Sequence, residues 1–121
     1  MPVLFVLKRF LPEFTEFGDL YQAIKTGKKT SEWRDGSDHW IRRLLTERGR
    51  QQLQWAHEIK ERSKPFFLMD FSEYHWKHKQ ATFVVGYTKY PRLLADIKAI
   101  LYNSKINQFE IRLKNVREIQ Q

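Results

Sequence analysis

The sequence predicts a small α+β domain, with about five or six strands and two or more flanking helices. Three observations point there. The chain has 121 residues, and domains run to roughly 100–200 residues, so residues 1–121 make a single domain. Segments rich in β-branched and aromatic residues, such as Val3–Arg9, Ala81–Tyr90 and Phe109–Leu113, carry strand patterns. Two others, Thr15 to Gly27 and Thr46 to Pro65, carry helical spacing between capping and breaking residues. Hydrophobic residues are 41% of the chain and aromatics 15%, which excludes a disordered or collagen-like chain.

Val3–Arg9 reads as the first strand, buried on both faces because its apolar run is continuous. The run is too short for a membrane span or the core of a signal peptide. Pro12 ends it. Thr15 then caps a helix whose Phe17, Leu20, Tyr21 and Ile24 share one face. Gly27 stops that helix as a left-handed residue, and Lys25, Lys28 and Lys29 lie at its negative end. Thr30–Arg34 reads as a short strand and Asp35-Gly36-Ser37-Asp38 as a turn. His39–Leu45 fits a strand or a helical turn. Thr46 caps a surface helix through Arg62, with a thin apolar face of Leu53, Ala56 and Ile59 and Trp55 beside it.

Pro65 bounds that helix. Phe66–Tyr74 and Ala81–Tyr90 read as strands, and Pro91 closes the second. Leu93–Tyr102 fits a helix through Leu93, Leu94, Ile97, Ile100 and Leu101. It equally fits a strand through Ala95, Ile97, Ala99 and Leu101. Phe109, Ile111 and Leu113 alternate with Glu110, Arg112 and Lys114, a half-buried strand.

The net charge is +8 and the sequence pI about 9.8. Residues 25–50 are net +4, and residues 75–95 carry Lys77, Lys79, Lys89 and Arg92 with no acid. Two separate basic stretches suggest one folded basic surface, the footprint expected for a polyanion. Cysteine is absent, which excludes disulfides, thiolate catalysis and Cys-based zinc sites. A cytoplasmic setting is expected, with no membrane partner and no cofactor.

Gly27, Lys29, Glu32 and Arg34 fit the pattern G-x-K-x-x-E-x-R directly after an amphipathic helix. This resembles the signature of the ASCH domain family, in the PUA-like β-barrel superfamily. Trp40-Ile41-Arg42-Arg43-Leu44 resembles a subset in which an aromatic-rich, basic segment follows the motif. Val85-Gly86-Tyr87-Thr88 and Phe109–Val116 stand where the barrel's later strands are expected. The motif spans eight residues; looser agreement covers most of the chain. The resemblance implies a small barrel with a cleft beside the helix before the motif, lined by Gly27, Lys28, Lys29, Glu32 and Arg34. It implies nucleic-acid binding, RNA favoured over DNA. Some members are enzymes, a ribonuclease and an amidohydrolase of acetylated cytidine, without a common set of catalytic residues.

The residues support a physical reading of their own. In an extended Thr30–Arg34, Thr30, Glu32 and Arg34 share one face. Glu32 and Arg34 then offer an acceptor beside a fork of donors, suited to a phosphate or a base edge; the alternative is an ion pair that only closes a barrel. Lys29 is the candidate catalytic residue. Nearby Glu32 favours its charged form, which leans towards binding. Acid–base catalysis needs a second group, and Asp70, Glu73, His75 and Tyr87 are the candidates. His75 and His78 are half a metal site at most; flanking Lys77 and Lys79 oppose an ion, so no metal is expected. The nucleic-acid rim is expected at Arg42, Arg43, Lys77, Lys79 and Lys89. Trp40, Tyr87 and Tyr90 are its exposed stacking rings. Three readings stand: a nucleic-acid-binding module, an enzyme on the same fold, and a basic protein-interaction domain.

Overall fold

The computed structural model describes residues 2–7, 14–15, 18–60, 66–85 and 91–119. In chain order these form β1 (Val3–Leu7), β2 (Phe14–Thr15), β3 (Gly18–Asp19), α1 (Leu20–Lys25), β4 (Ser31–Asp35), α2 (Asp38–Leu44) and α3 (Glu47–Lys60). Then follow β5 (Leu68–Asp70), a 3-10 turn (Glu73–His75), β6 (Gln80–Val85), β7 (Arg92–Asn103) and β8 (Gln108–Ile119). The architecture is α+β: a curled, mixed half-barrel sheet with three helices among the described residues. The sheet runs β1-β6-β7-β8-β4, and β5 pairs with the C-terminal end of β7. β1 and β6 are parallel, with Val3 opposite Ala81; the other pairings are antiparallel.

Leu93–Tyr102 is strand, and the reason its spacing imitates a helix lies in two register shifts between β7 and β8. Near Asn115, which has φ 53°, β8 carries an extra residue; near Lys98, β7 does. The bulge at Lys98 breaks the period-two alternation of β7: Leu93, Ala95 and Ile97 are buried before it, and Ile100, Leu101 and Tyr102 after it. Bulges also bend and twist the strands that carry them. A long hairpin bulged twice is what curls this sheet.

β1 is buried on one face only. Val3, Phe5 and Leu7 face the core, whereas Leu4 and Val6 are 36% and 55% exposed. The continuous apolar run therefore marks an edge strand with an apolar outer face, not a strand sandwiched between layers. α1 begins at Leu20, later than expected, because Thr15 is taken by a two-strand ladder opposite Gly18. Phe17 lies outside the described residues. Gly27 ends the helix at φ +79°, with its N–H on Ile24 O and that of Lys29 on Ala23 O. Residues 38–44 resolve to helix. Thr46 Oγ1 caps α3 by accepting from Gly49 N at 3.2 Å. α3 buries Leu53 and Ala56 but leaves Ile59 and Trp55 exposed; its expected end at Arg62 lies outside the described residues.

Of Phe66–Tyr74 only Leu68–Asp70 is strand, since Ser72 caps the 3-10 turn. Ala81–Tyr90 is strand to Val85, and residues 86–90 are not among those described. The core is one cluster centred on Phe5, Phe83, Phe109, Ile24 and Leu44. The curl brings the two ends of the sheet path together: Arg34 Cζ on β4 lies 4.9 Å from the centre of the Phe5 ring on β1. β1 and β4 are not paired with each other, so the half-barrel keeps an open seam.

Candidate functional site

The seam holds a cleft of about 620 Å3. One wall is β1, through Leu4, Val6 and Leu7; the other is β4, through Glu32, Arg34 and Asp35. α2 closes one side with His39, Trp40 and Arg43, and Leu20 of α1 completes the lining. Alternation along β4 does the positioning. Glu32 and Arg34 point inward, while Trp33 is 41% exposed on the outer face.

Glu32 is the one buried acidic residue among those described, at 4% exposure. Its Oε1 accepts from Arg34 Nη1 at 2.7 Å and from the Trp33 N–H at 3.1 Å. Lys29 Nζ stands 3.5 Å from both carboxylate oxygens. Oε2 therefore has only the long Lys29 contact and keeps accepting capacity. Arg34 also donates from Nη1 to Trp33 O at 2.9 Å, and its guanidinium lies 5.2 Å from the Trp40 ring. Arg43 lies 5.6 Å from that ring, and Phe5 stacks on it at 5.4 Å. At the mouth, hydrogen bonds from the Ser37 hydroxyl and N–H hold the Asp35 carboxyl below the usual carboxylate range. Desolvation opposes them, and nearby His39 and Arg34 add smaller lowering effects. The lining thus carries two carboxylates, two guanidiniums and one imidazole: polar, but nearly balanced in charge.

Of the residues expected in the cleft, Glu32 and Arg34 line it. Lys29 does not. It sits on the Gly27 turn and reaches Glu32 from behind, lining with Gly27 a separate depression of about 240 Å3 beside β8. Lys28 is exposed on the same turn. Trp40 is not the open stacking ring expected, because the helical phase of α2 turns it onto Phe5 with the two arginines against it. The same phase separates Arg42 from Arg43. Arg42 pairs with Asp38 at 2.8 Å and lines a groove towards α3.

Lys77, expected on the rim, lies at the end of α2, with Nζ 3.2 Å from Arg42 O and its N–H on Leu44 O. Lys79 stands beside Glu73, 3.6 Å away. Tyr87, Lys89 and Tyr90 lie outside the described residues. Asp70, Glu73 and His75 are absent from the cleft lining. Sequence reasoning missed Asp35 and His39, as well as the apolar lip of Leu4 and Val6. Reading residues 38–44 as a helix would have found His39, since it stands one turn before Arg43.

Among the described residues no three His, Asp or Glu side chains gather as metal ligands, and no helix is long and apolar enough to cross a membrane. Comparison with protein-family models, curated proteins and solved structures finds no match. What the site can do rests on its own geometry.

Proposed function

We propose that this chain is a nucleic-acid-binding module on a PUA-like, ASCH-type half-barrel, acting in the cytoplasm on single strands, RNA favoured over DNA. One base or nucleotide enters the seam cleft, and phosphates lie on the basic rim. The observation that carries this is the buried Glu32 carboxylate, held by Arg34 at 2.7 Å inside a cleft of about 620 Å3. A nucleobase is planar, nearly neutral and edged with both donors and acceptors. The cleft offers acceptors at Glu32 and Asp35, donors at Arg34 and Arg43, and an apolar lip for the base plane. The phosphate term is supplied outside it by the chain's net charge of +8.

Binding fits the geometry better than acid–base chemistry. Lys29 turns its ammonium to Glu32 rather than to the cleft, and Asp70, Glu73 and His75 are elsewhere. The enzymatic reading retains one observation, His39 beside Asp35 at the cleft mouth. Titration of the protein with single-stranded RNA, DNA and ribonucleoside monophosphates tests the proposal, with product analysis after incubation. Tight, salt-sensitive RNA binding with no product is the expected result. Absence of binding at low salt overturns it, and turnover moves the assignment to an enzyme.

A further inference from the structure

We propose that Tyr74 is a stacking platform for an unpaired base, at the end of a cationic track that leaves the cleft over the C-terminal end of α2. This rests on the nucleic-acid reading above. Tyr74 is 81% exposed, the most exposed large hydrophobic side chain among the described residues. A ring left in water is ordinarily unremarked, but this one stands on a braced turn. Ser72 Oγ accepts from the Tyr74 N–H at 3.3 Å, and the His75 N–H closes on Ser72 O at 2.8 Å. His75 O accepts from Thr46 N at 2.9 Å, which ties the turn to the start of α3. Gly49 is pressed against that carbonyl so closely that a Cβ there would meet it at 2.7 Å.

One cation lies at the ring, and others follow towards the cleft. Lys79 Nζ lies 5.9 Å from the centre of the Tyr74 ring and 5.6 Å from that of Trp76. Its pairing with Glu73, at 3.6 Å, is solvent-exposed, so a phosphate can compete for it. Lys77 then links this turn to the end of α2 through Arg42 O, and Arg43 on that last turn lines the cleft. An exposed ring on a braced turn, beside a lysine and linked through Lys77 to the helix that lines the cleft, matches a strand of unpaired nucleotides: base on ring, phosphate on ammonium. A duplex, whose bases are already stacked, gains nothing from Tyr74.

The test is fluorescence anisotropy on the full chain with an end-labelled short oligoadenylate and an RNA duplex. Parent, Tyr74→Ala and Tyr74→Phe are compared, with ribonucleoside monophosphate binding measured beside them. Tyr74→Ala is expected to weaken single-strand binding by about 5- to 150-fold, equivalent to about 1–3 kcal/mol for one stacked base. Tyr74→Phe should bind like the parent, and duplex and monophosphate binding should not change. If Tyr74→Ala binds the single strand like the parent while monophosphates still bind, the platform is wrong and the cleft reading stands. If Tyr74→Phe loses as much as Tyr74→Ala, the hydroxyl rather than the ring is the contact, and stacking is wrong. If the parent binds neither nucleic acid nor monophosphate, but binds polyglutamate, both readings fall to an acidic protein partner.

Discussion

Glu32→Gln keeps the shape of the side chain and removes its charge. In the parent, one carboxylate oxygen takes hydrogen bonds from Arg34 at 2.7 Å and Trp33 N at 3.1 Å, and both oxygens face Lys29 at 3.5 Å. The amide oxygen of glutamine can still serve Arg34 and Trp33. Its NH2 group would then face the Lys29 ammonium, donor against donor. Two cations, with side chains 20% and 13% exposed, are left without their anion.

Breaking a fully buried pair costs about 3–5 kcal/mol, and the partial exposure of both partners brings this to about 2–4. For a domain of this length about 3–6 °C is lost per kcal/mol, so the melting temperature should fall by about 6–24 °C. Thermal melts followed by circular dichroism measure it. The double variant with Lys29→Met should recover part of the loss, because the stranded ammonium is gone, and the coupling should be about 0.5–3 kcal/mol. Glu32→Gln melting with the parent, or strict additivity in the cycle, would refute the claim that Glu32 organises both cations.

Gly27→Val should destabilise the fold by about 1–2 kcal/mol through φ +79° alone, since nothing lies within 4 Å of the added Cβ; an unchanged melt would refute the left-handed stop. Gly36→Ala should cost the Tyr102–Asn107 hydrogen bond, because the added Cβ displaces the Asn107 amide at the β7–β8 turn; urea denaturation measures the loss, and an unchanged midpoint would refute it. If the rim contacts phosphate, log K for single-stranded RNA should fall by about 0.7 per contact with log salt. Lys79→Ala should flatten that slope and weaken all sequences alike, and an unchanged slope would remove Lys79 from the rim. Asp96 is held below the usual carboxylate range by hydrogen bonds from Asn115 and Gln80, with Arg117 adding to them; Asp35 is similarly depressed. A depressed folded pKa contributes stability above the unfolded value and loses it as pH falls through the folded one. Melting temperature should therefore drop below about pH 4, and Asp96→Asn should make that acid limb shallower.

The strands at both ends of the chain were readable because their residues alternate or branch at Cβ, and Gly27 because only a left-handed stop explains a glycine after that helix. The inward pair Glu32 and Arg34 followed from two-residue periodicity. Other features were hidden for physical reasons. β7 imitated a helix because the bulge at Lys98 depends on its partner strand, which local spacing does not record. The outer face of β1 was misread because an edge strand and a central one share the same apolar run. The direction of Lys29 was open because a side chain at a turn has no periodicity to fix it, and the packing of Trp40 was hidden because it depends on Phe5, 35 positions earlier.

The open seam also bears on the order in which the molecule comes together. β7 and β8 are joined by a short turn and zip locally, but both walls of the cleft hang on distant partners: Val3 on Ala81, Ser31 on Arg112. Closing loops of that length is slow, so the walls are expected to dock after the hairpin. They are also the parts that can detach without melting it. During synthesis β1 is made well before β6, its strand partner, and β4 well before β8, so the pocket is completed only once β8 has been added. In native-state hydrogen exchange the amides of β1 and β4 should open at lower free energy than those of β7, and a ligand wedged between the two walls should slow them selectively.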